Sequence, residues 1–486
     1  AHHRYLHSFP TRRSSDLISR KSAEPPLGLI TVAALLPEEW NKKLIDMNVT
    51  QLNDKDLMWA DYVFLSAMNV HISSVKNIIR RCNKLGTKIV AGGPLFTTQY
   101  RDFLGIDHFV LNEAEVTLPI FLEDLKNGNL KEIYQTDIFP DVALAPIPKW
   151  ELLDINKYAS LSLQYSRGCP YDCEFCSITM LNGRVPRTKS KEQFIAELNR
   201  LYELGFRGTL SIVDDNFIGN KKKLKQEILP ALIEWQKEKK YPFSFITEVS
   251  INLAEDDRLV KMMVESGIIS VFIGIETPNN DSLIECGKSH NQKIDMITAV
   301  KKLQQSGMIV SGGFIIGFDN DPKDIFDQQI NFIRSSGIVS AMVGLLNAPT
   351  GTHLFNRLKN EDRLVDSFNG NNSDGTTNII PKMNYKDLIN GYTKIIHTIY
   401  SPAEYYKRVK SFLKEYNVPS WKSSVPNFNE VKAFFKLILV LGILEGGKKY
   451  FWQILFHTFF NYPKKFSLAM TFAVYGYHFR RVAATI

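Results

Sequence analysis

Six times between residues 161 and 355 an apolar, strand-like run gives way to an amphipathic, helix-like one. The runs are SLQYSRG, GTLSIVDDNF, FSFITEVS, ISVFIGIET, IVSGGFIIGFD and VSAMVGLLNAP. Between them lie KEQFIAELNRLYELG, KKLKQEILPALIEWQKEK, DRLVKMMVESG and NQKIDMITAVKKLQQSG, with apolar residues at helical spacing. Strands joined through helices lie parallel, because each crossover returns the chain to the same end of the sheet. Six such units, about 35 residues apart, predict a partial (β/α)6 barrel over 161–355 with its active site at the C-terminal strand ends.

Three of the five cysteines fall at that mouth. Cys169, Cys173 and Cys176 lie within SRGCPYDCEFC, directly after the first barrel strand, and the others are Cys82 and Cys286. A disulfide framework suits short secreted chains, whereas this chain is long and its thiol count is odd. A closed zinc site needs four ligands, usually two CxxC-type pairs, and here no second pair follows and no histidine lies close in sequence. Three thiolates instead suit an iron–sulfur cluster with one iron left open to a small molecule. The bland alternative is three incidental cysteines in a loop.

The segment 18–137 carries a second alternation. LGLITVAALLP predicts a helix, NKKLIDMNV and ADYVFLSAM strands, SSVKNIIRRCNKLG a helix stopped by glycine, and TKIVAGGP a buried strand ending in glycines. HFVLNEAE and VTLPIFLEDLKNG complete another strand and helix, so this part predicts a doubly wound, Rossmann-like parallel sheet. Residues 138–160 are Pro-rich without periodicity and predict a linker. From 356 to 486 the strands stop and the pattern is helical. Residues 1–17, AHHRYLHSFPTRRSSDL, have no apolar signal-peptide core and no period. They resemble a translated sequencing adapter and are expected to be artefactual and unpacked.

Charge and hydropathy narrow the function classes. The net charge is +8, yet KKKLK at 221–225 has no interleaved aromatics and predicts a solvated helix start, not a nucleic-acid patch. No apolar run reaches the 18 or so residues that span a bilayer. FFKLILVLGI is the most apolar stretch of the tail; it predicts a buried helix or, alternatively, an interfacial one that touches a lipid substrate or membrane surface. The cysteine usage is that of a reducing cytoplasm.

The spacing CxxxCxxC with Phe175 before the third cysteine resembles the signature of the radical S-adenosylmethionine (SAM) superfamily. A sheet domain before the barrel, with SAM at 66–68, AGGP at 91–94 and VDDNFIGN, resembles its cobalamin-binding branch, in particular the hopanoid C-2 methylase and bacteriochlorophyll side-chain methylase group. The resemblance implies a [4Fe-4S] cluster on Cys169, Cys173 and Cys176 and SAM on its open iron. It also implies cobalamin, a small-molecule substrate that could be lipid-like, and a reducing partner such as flavodoxin or ferredoxin. The chemistry would be methyl transfer to an unactivated carbon after cleavage of SAM to a 5′-deoxyadenosyl radical. The alternatives are a radical SAM enzyme without functional cobalamin and, less well fitted, an iron–sulfur electron carrier.

SAM needs acceptors for its amino group and ribose hydroxyls and close backbone approach for its adenine. Asp214, Asp215, Glu248 and Glu276 at predicted strand ends, the backbone of Phe175, and Gly312 and Gly313 are the candidates. Their ordinary alternative is barrel-mouth ion pairing. Ser66, Gly92 and Gly93 match the positions that line the cobalamin tail in such domains. His71 is read as a surface residue and Arg167 as a neighbour of the cluster without an assigned role. The first strand of such a sheet domain would precede residue 20, where the adapter-like sequence stands instead, so that strand is expected to be missing from 18–137.

Overall fold

The computed structural model describes residues 21–366, 368–371, 374–421 and 434–486. The reading of 1–17, and that of the strand missing before residue 20, lie outside the described residues.

In the first domain a short helix, α1 (Leu27–Leu35), precedes β1 (Tyr62–Ser66). The helix α2 (Ile72–Leu85) follows and ends at Gly86, whose φ of +74° makes the left-handed stop. Then come β2 (Lys88–Gly92), a short helix at Pro94–Gln99, β3 (His108–Val110), α3 (Ala114–Asn127) and β4 (Ile133–Tyr134). The four strands form a parallel sheet in the order β1-β2-β3-β4. The expected strand NKKLIDMNV is absent. Asp46 instead holds a turn, accepting from the backbone and side chain of Asn48 (both 2.9 Å) and from the Tyr158 hydroxyl (3.0 Å).

Residues 138–160 are not a loose linker. Three single-turn 3-10 segments lie in them, and Trp150 and Tyr158 are buried in the barrel core. Apolar rings of this size explain the result, since each removes more area from water than a flexible tether could leave exposed.

The barrel sheet runs β12-β11-β10-β9-β8-β5, all parallel. Its strands are β5 (Leu161–Leu163), β8 (Gly208–Ile212), β9 (Phe243–Glu248), β10 (Ile268–Glu276), β11 (Ile309–Ile316) and β12 (Ala341–Leu345). Each of the expected runs supplies one strand, but SLQYSRG splits. After β5 the backbone N–H groups of Tyr165 and Ser166 leave the ladder to bond the Asp214 carboxylate (2.7 and 2.8 Å), and the Ser166 hydroxyl joins them (2.6 Å). The remainder forms β6 (Ser166–Arg167), antiparallel to β7 (Arg187–Thr188).

Helices cover one side of this sheet, and a C-terminal helical region closes the end beyond β12. It contains α4 (His353–Asn360), α5 (Tyr385–Ile399), α6 (Pro402–Glu415), a π-helical segment at Ile438–Leu444, α7 (Lys448–Asn461) and α8 (Phe466–Ala483). FFKLILVLGI is only half buried: Leu437, Leu441 and Gly442 face the core, while Phe435, Leu439 and Ile443 are exposed. Among the described residues no helix is long and apolar enough to cross a membrane.

Candidate active site

The cysteine loop begins at Gly168, where φ is +98° and a Cβ would sit 2.8–3.1 Å from the carbonyls of Val185, Asn182 and Gly183. Only glycine fits there. Asp215 accepts from the Gly168 N–H (2.8 Å) and from Asn182 Nδ2 (2.9 Å). The Cys169 N–H bonds Gly183 O (3.2 Å), and Cys176 N–H closes a turn on Cys173 O (2.9 Å). Farther along, Glu174 donates its N–H to Cys286 O (3.0 Å) and its carboxylate takes two hydrogen bonds from Arg357 of α4 (2.6 and 3.0 Å).

None of the three cysteines is in a disulfide, and all are half-buried. Burial pushes the Cys169 thiol up to about 11 and Cys173 higher still, so proton loss needs a cation in the proton's place. Among the described residues no three His, Cys, Asp or Glu side chains converge on a single ion. Three thiols on one short loop are the donor set of a [4Fe-4S] cluster with one open iron. Cys286 is different: it is buried behind the loop and its thiol donates to Leu283 O at 3.6 Å.

Glu276 ends β10 with φ at +63°, an unusual conformation for a residue with a side chain. Asn291 and Gln329 hold this turn by donating to the carbonyls of Gly274, Ile275 and Glu276 (all 3.1 Å). Oε1 of Glu276 pairs with the buried Lys288, and the pair lies where a Gly274 side chain would be. Burial opposes the Lys288 charge, but Glu276 and the neighbouring Cys173 thiol raise its pKa above the ordinary lysine value. Oε2 of Glu276 is buried without a hydrogen-bond partner, the kind of acceptor an ammonium ligand satisfies. Sequence reasoning missed Lys288, since a lysine in CGKSH carries no spacing signal.

The other candidates divide. Asp214 is wholly buried and its carboxylate accepts from the Tyr165 and Ser166 N–H groups and the Ser166 hydroxyl. Asp215 stays beside Cys169 as a loop anchor, and Glu248 is half-buried at the end of β9. A Cβ on Gly312 would meet the Phe314 ring at 2.8 Å, so that glycine serves packing within the sheet. Gly313 pairs with Gly274 in register, next to the Glu276 turn. Phe175 packs near Phe318 (6.4 Å) and lines a cavity of about 470 Å³. Phe314 and Leu346 of the barrel, Tyr392 and Phe479 of α5 and α8, and Val70 of the first domain also line it.

In the first domain Ser66 ends β1 directly opposite Gly92 of β2. A Cβ on Gly93, where φ is +85°, would lie 2.5 Å from Ser66 Oγ, and one on Gly92 would lie 2.5 Å from Val110 O. The two glycines thus let the β2 end pack directly against Ser66 and Val110 at the C-terminal strand ends, the place where doubly wound sheets receive ligands. His71 stays local, accepting from the Met68 N–H at 3.3 Å. Arg167 acquires a role: it bonds Glu113 (2.6 Å) and Glu115 (2.7 Å) at the start of α3, and Arg187 also bonds Glu113 (2.6 Å). Two arginines beside the cysteine loop therefore clasp the first domain. Burial alone would lower the Arg167 pKa, but the two carboxylates raise it.

A cysteine-bearing parallel barrel clasped to a Rossmann-like sheet defines a class, the radical SAM enzymes that carry a second cofactor domain. Family models match in the same order: B12 binding domain at residues 14–122, radical SAM superfamily at 163–333, and a domain of unknown function (DUF4070) at 352–486. An uncharacterized methyltransferase of Synechocystis sp. is 39% identical over 471 residues, covering 96% of this chain and 87% of that one. The hopanoid C-2 methylase of Rhodopseudomonas palustris (strain TIE-1) is 35% identical over 372 residues, covering 75% and 70%. The radical SAM methyltransferase TsrM of Kitasatospora setae, solved with cobalamin and a [4Fe-4S] cluster, shares the fold, with a TM-score of 0.63 at 13% identity over 82% of this chain and 93% of that one. The chain belongs to the family of cobalamin-binding radical SAM methyltransferases.

Proposed function

We propose that the protein methylates an unactivated carbon of an apolar, lipid-like small molecule held in the cavity between Phe175, Val70 and the C-terminal helices. The observation that carries this reading is the cavity itself. Its wall is shared by the cysteine loop, the first domain and α8, and most of it is apolar. Ligand pockets of this size bury an apolar body and leave a few polar groups to orient it. The 35% identity to a hopanoid C-2 methylase supports the same substrate class.

When bound, the cluster and SAM supply the radical and cobalamin supplies the methyl relay. The chain's own part is to hold and to exclude. Cys169, Cys173 and Cys176 hold the irons. Glu276 Oε2 would accept from the SAM amino group, with Lys288 orienting that carboxylate through Oε1. Asp215 and Glu248 would accept from the ribose hydroxyls, and the Phe175 backbone and Gly313 would give the adenine close approach. Ser66, Gly92 and Gly93 admit the cobalamin tail. Phe314, Tyr392 and Phe479 keep water from the reacting carbon. The electron enters from a small flavodoxin- or ferredoxin-type reductant.

The test is anaerobic reconstitution with iron, sulfide and cobalamin, followed by incubation with methyl-labelled SAM, a reductant and an apolar lipid extract. The expected result is 5′-deoxyadenosine and S-adenosylhomocysteine in equal amounts, with label in the apolar fraction. SAM cleavage without cobalamin uptake would instead indicate a radical reaction other than methyl transfer.

A further inference from the structure

The segment 434–461 turns its apolar face outward. Phe435, Leu439 and Ile443 recur at intervals of four residues and are 66%, 52% and 55% exposed. On α7, Phe459 and Phe460 lie three and four residues after Phe456, and Phe456, Phe459 and Phe460 are 51%, 58% and 75% exposed. Helices of soluble domains turn such stripes toward the core.

The two stripes are one surface. Trp452 Nε1 donates to Gly442 O (2.9 Å), which locks the π-helical segment against α7. Trp452 stacks on Phe456 (5.6 Å). At the other end a run of rings joins Phe435 to Phe434 (6.2 Å), Phe434 to Phe466 (5.5 Å), Phe466 to Phe459 (6.1 Å) and Phe459 to Phe460 (5.3 Å).

Charge singles out the occupant. Residues 434–466 contain five lysines and one acid, Glu445. Lys448 and Lys449 are exposed at the first turn of α7, Lys464 is exposed just past its end, and Lys436 is exposed between Phe435 and Leu439. Lysines at the rim of an aromatic patch extend their ammonium groups to phosphates while their stems cover apolar area. A protein partner needs shape and a satisfied polar rim, whereas an anionic bilayer needs only this combination of rings and one sign of charge.

We propose that the hairpin formed by residues 434–461 is a monotopic docking surface for an anionic lipid bilayer. The rings enter the headgroup–acyl boundary and the lysines bind lipid phosphates. This surface adjoins the cavity wall: a Gly447 Cβ would lie 3.1 Å from Arg480, in the helical turn of His478 and Val482. Docking goes beyond the methyl-transfer reading and stands without it, because lipid binding is measured with no cofactor turnover.

The experiment is co-sedimentation of the cluster-loaded full chain with vesicles of pure phosphatidylcholine and of phosphatidylcholine with 30% phosphatidylglycerol, at about 0.1 M salt. Binding to the anionic vesicles is expected to be at least tenfold tighter, since each lysine near such a surface contributes roughly fivefold. Phe459→Ser/Phe460→Ser is expected to weaken it tenfold or more, and Lys448→Glu/Lys449→Glu to remove the preference for anionic lipid. Unchanged iron content shows that the variants fold. Should a variant lose iron, quenching of wild-type tryptophan fluorescence by brominated acyl chains, absent in Trp452→Phe, decides the matter. Failure of the wild-type chain to bind either vesicle overturns the proposal. So does a dimer in size-exclusion chromatography that the Phe459→Ser/Phe460→Ser variant abolishes, with vesicle binding unaltered.

Discussion

At the open end of the four-stranded sheet the chain withholds side chains; at the mouth of the six-stranded one it crowds them. Both sheets are parallel, and in both the candidate residues lie at or just beyond the C-terminal strand ends. In the first, Gly92 and Gly93 are needed because Val110 O and Ser66 Oγ stand where their Cβ atoms would be. In the second, thiols, Glu276 and Lys288 stand within a shell of carboxylates already bonded to backbone. The first region is therefore damaged by added atoms and the second by removed ones.

The largest expected effect tests the second half of that contrast. Cys169→Ala, Cys173→Ala and Cys176→Ala should each abolish SAM cleavage and lower the iron content from about four per chain, read by iron assay and 5′-deoxyadenosine release. Cys82→Ala and Cys286→Ala should retain both, because neither thiol lies on the loop. SAM cleavage that survives in the triple variant would sink the cluster assignment.

Next comes the clasp between the two sheets. Arg167→Ala leaves Glu115 buried and uncompensated, and should cost about 3–5 kcal/mol in urea denaturation. Arg167→Lys should recover only part, since one ammonium cannot reach both carboxylates as the planar guanidinium does. A loss below about 1 kcal/mol would mean the domains hold together without it.

Gly93→Ala tests the added-atom half and should cost roughly 1–3 kcal/mol through its left-handed backbone. A Ser66→Ala background should relieve part of that cost by removing the Oγ that the new methyl meets. The same contact sets a limit on tryptophan at this position: the side chain clashes with the protein before it meets any ligand, so cobalamin loss in Gly93→Trp must be read beside a folding measurement.

The smallest effect depends on pH. Burial works against the charge of Asp319, but hydrogen bonds from Arg363 and Arg357 outweigh it and hold its pKa at about 2, below the ordinary 3.8. A depressed carboxylate stabilises the fold above its unfolded pKa and loses that contribution as pH falls through the folded value. Asp319→Asn should therefore be less stable than the parent by about 2 kcal/mol at pH 5, with the gap roughly halved at pH 3. An equal gap at both would show that the Arg357–Asp319–Arg363 cluster acts by packing alone.

Much of this protein was legible in its sequence. Periodicity gave six barrel strands, a helical tail and a parallel first sheet, because each pattern reports which face of a strand or helix leaves water. The cysteine spacing marked the cluster because ligands on one short loop are close whatever the rest of the chain does. Other features depended on residues far apart in sequence. Asp214 interrupts a strand 48 residues earlier by taking its ladder donors. Arg167 clasps Glu113 and Glu115 across 54 and 52 positions, and Glu276 finds Lys288 through a left-handed turn. Trp150 and Tyr158 turn a proline-rich segment into core. Local pattern determines which elements form and which thiols share a loop. Only tertiary packing decides which buried charges meet, because a carboxylate's partner is selected by the shared cost of leaving water.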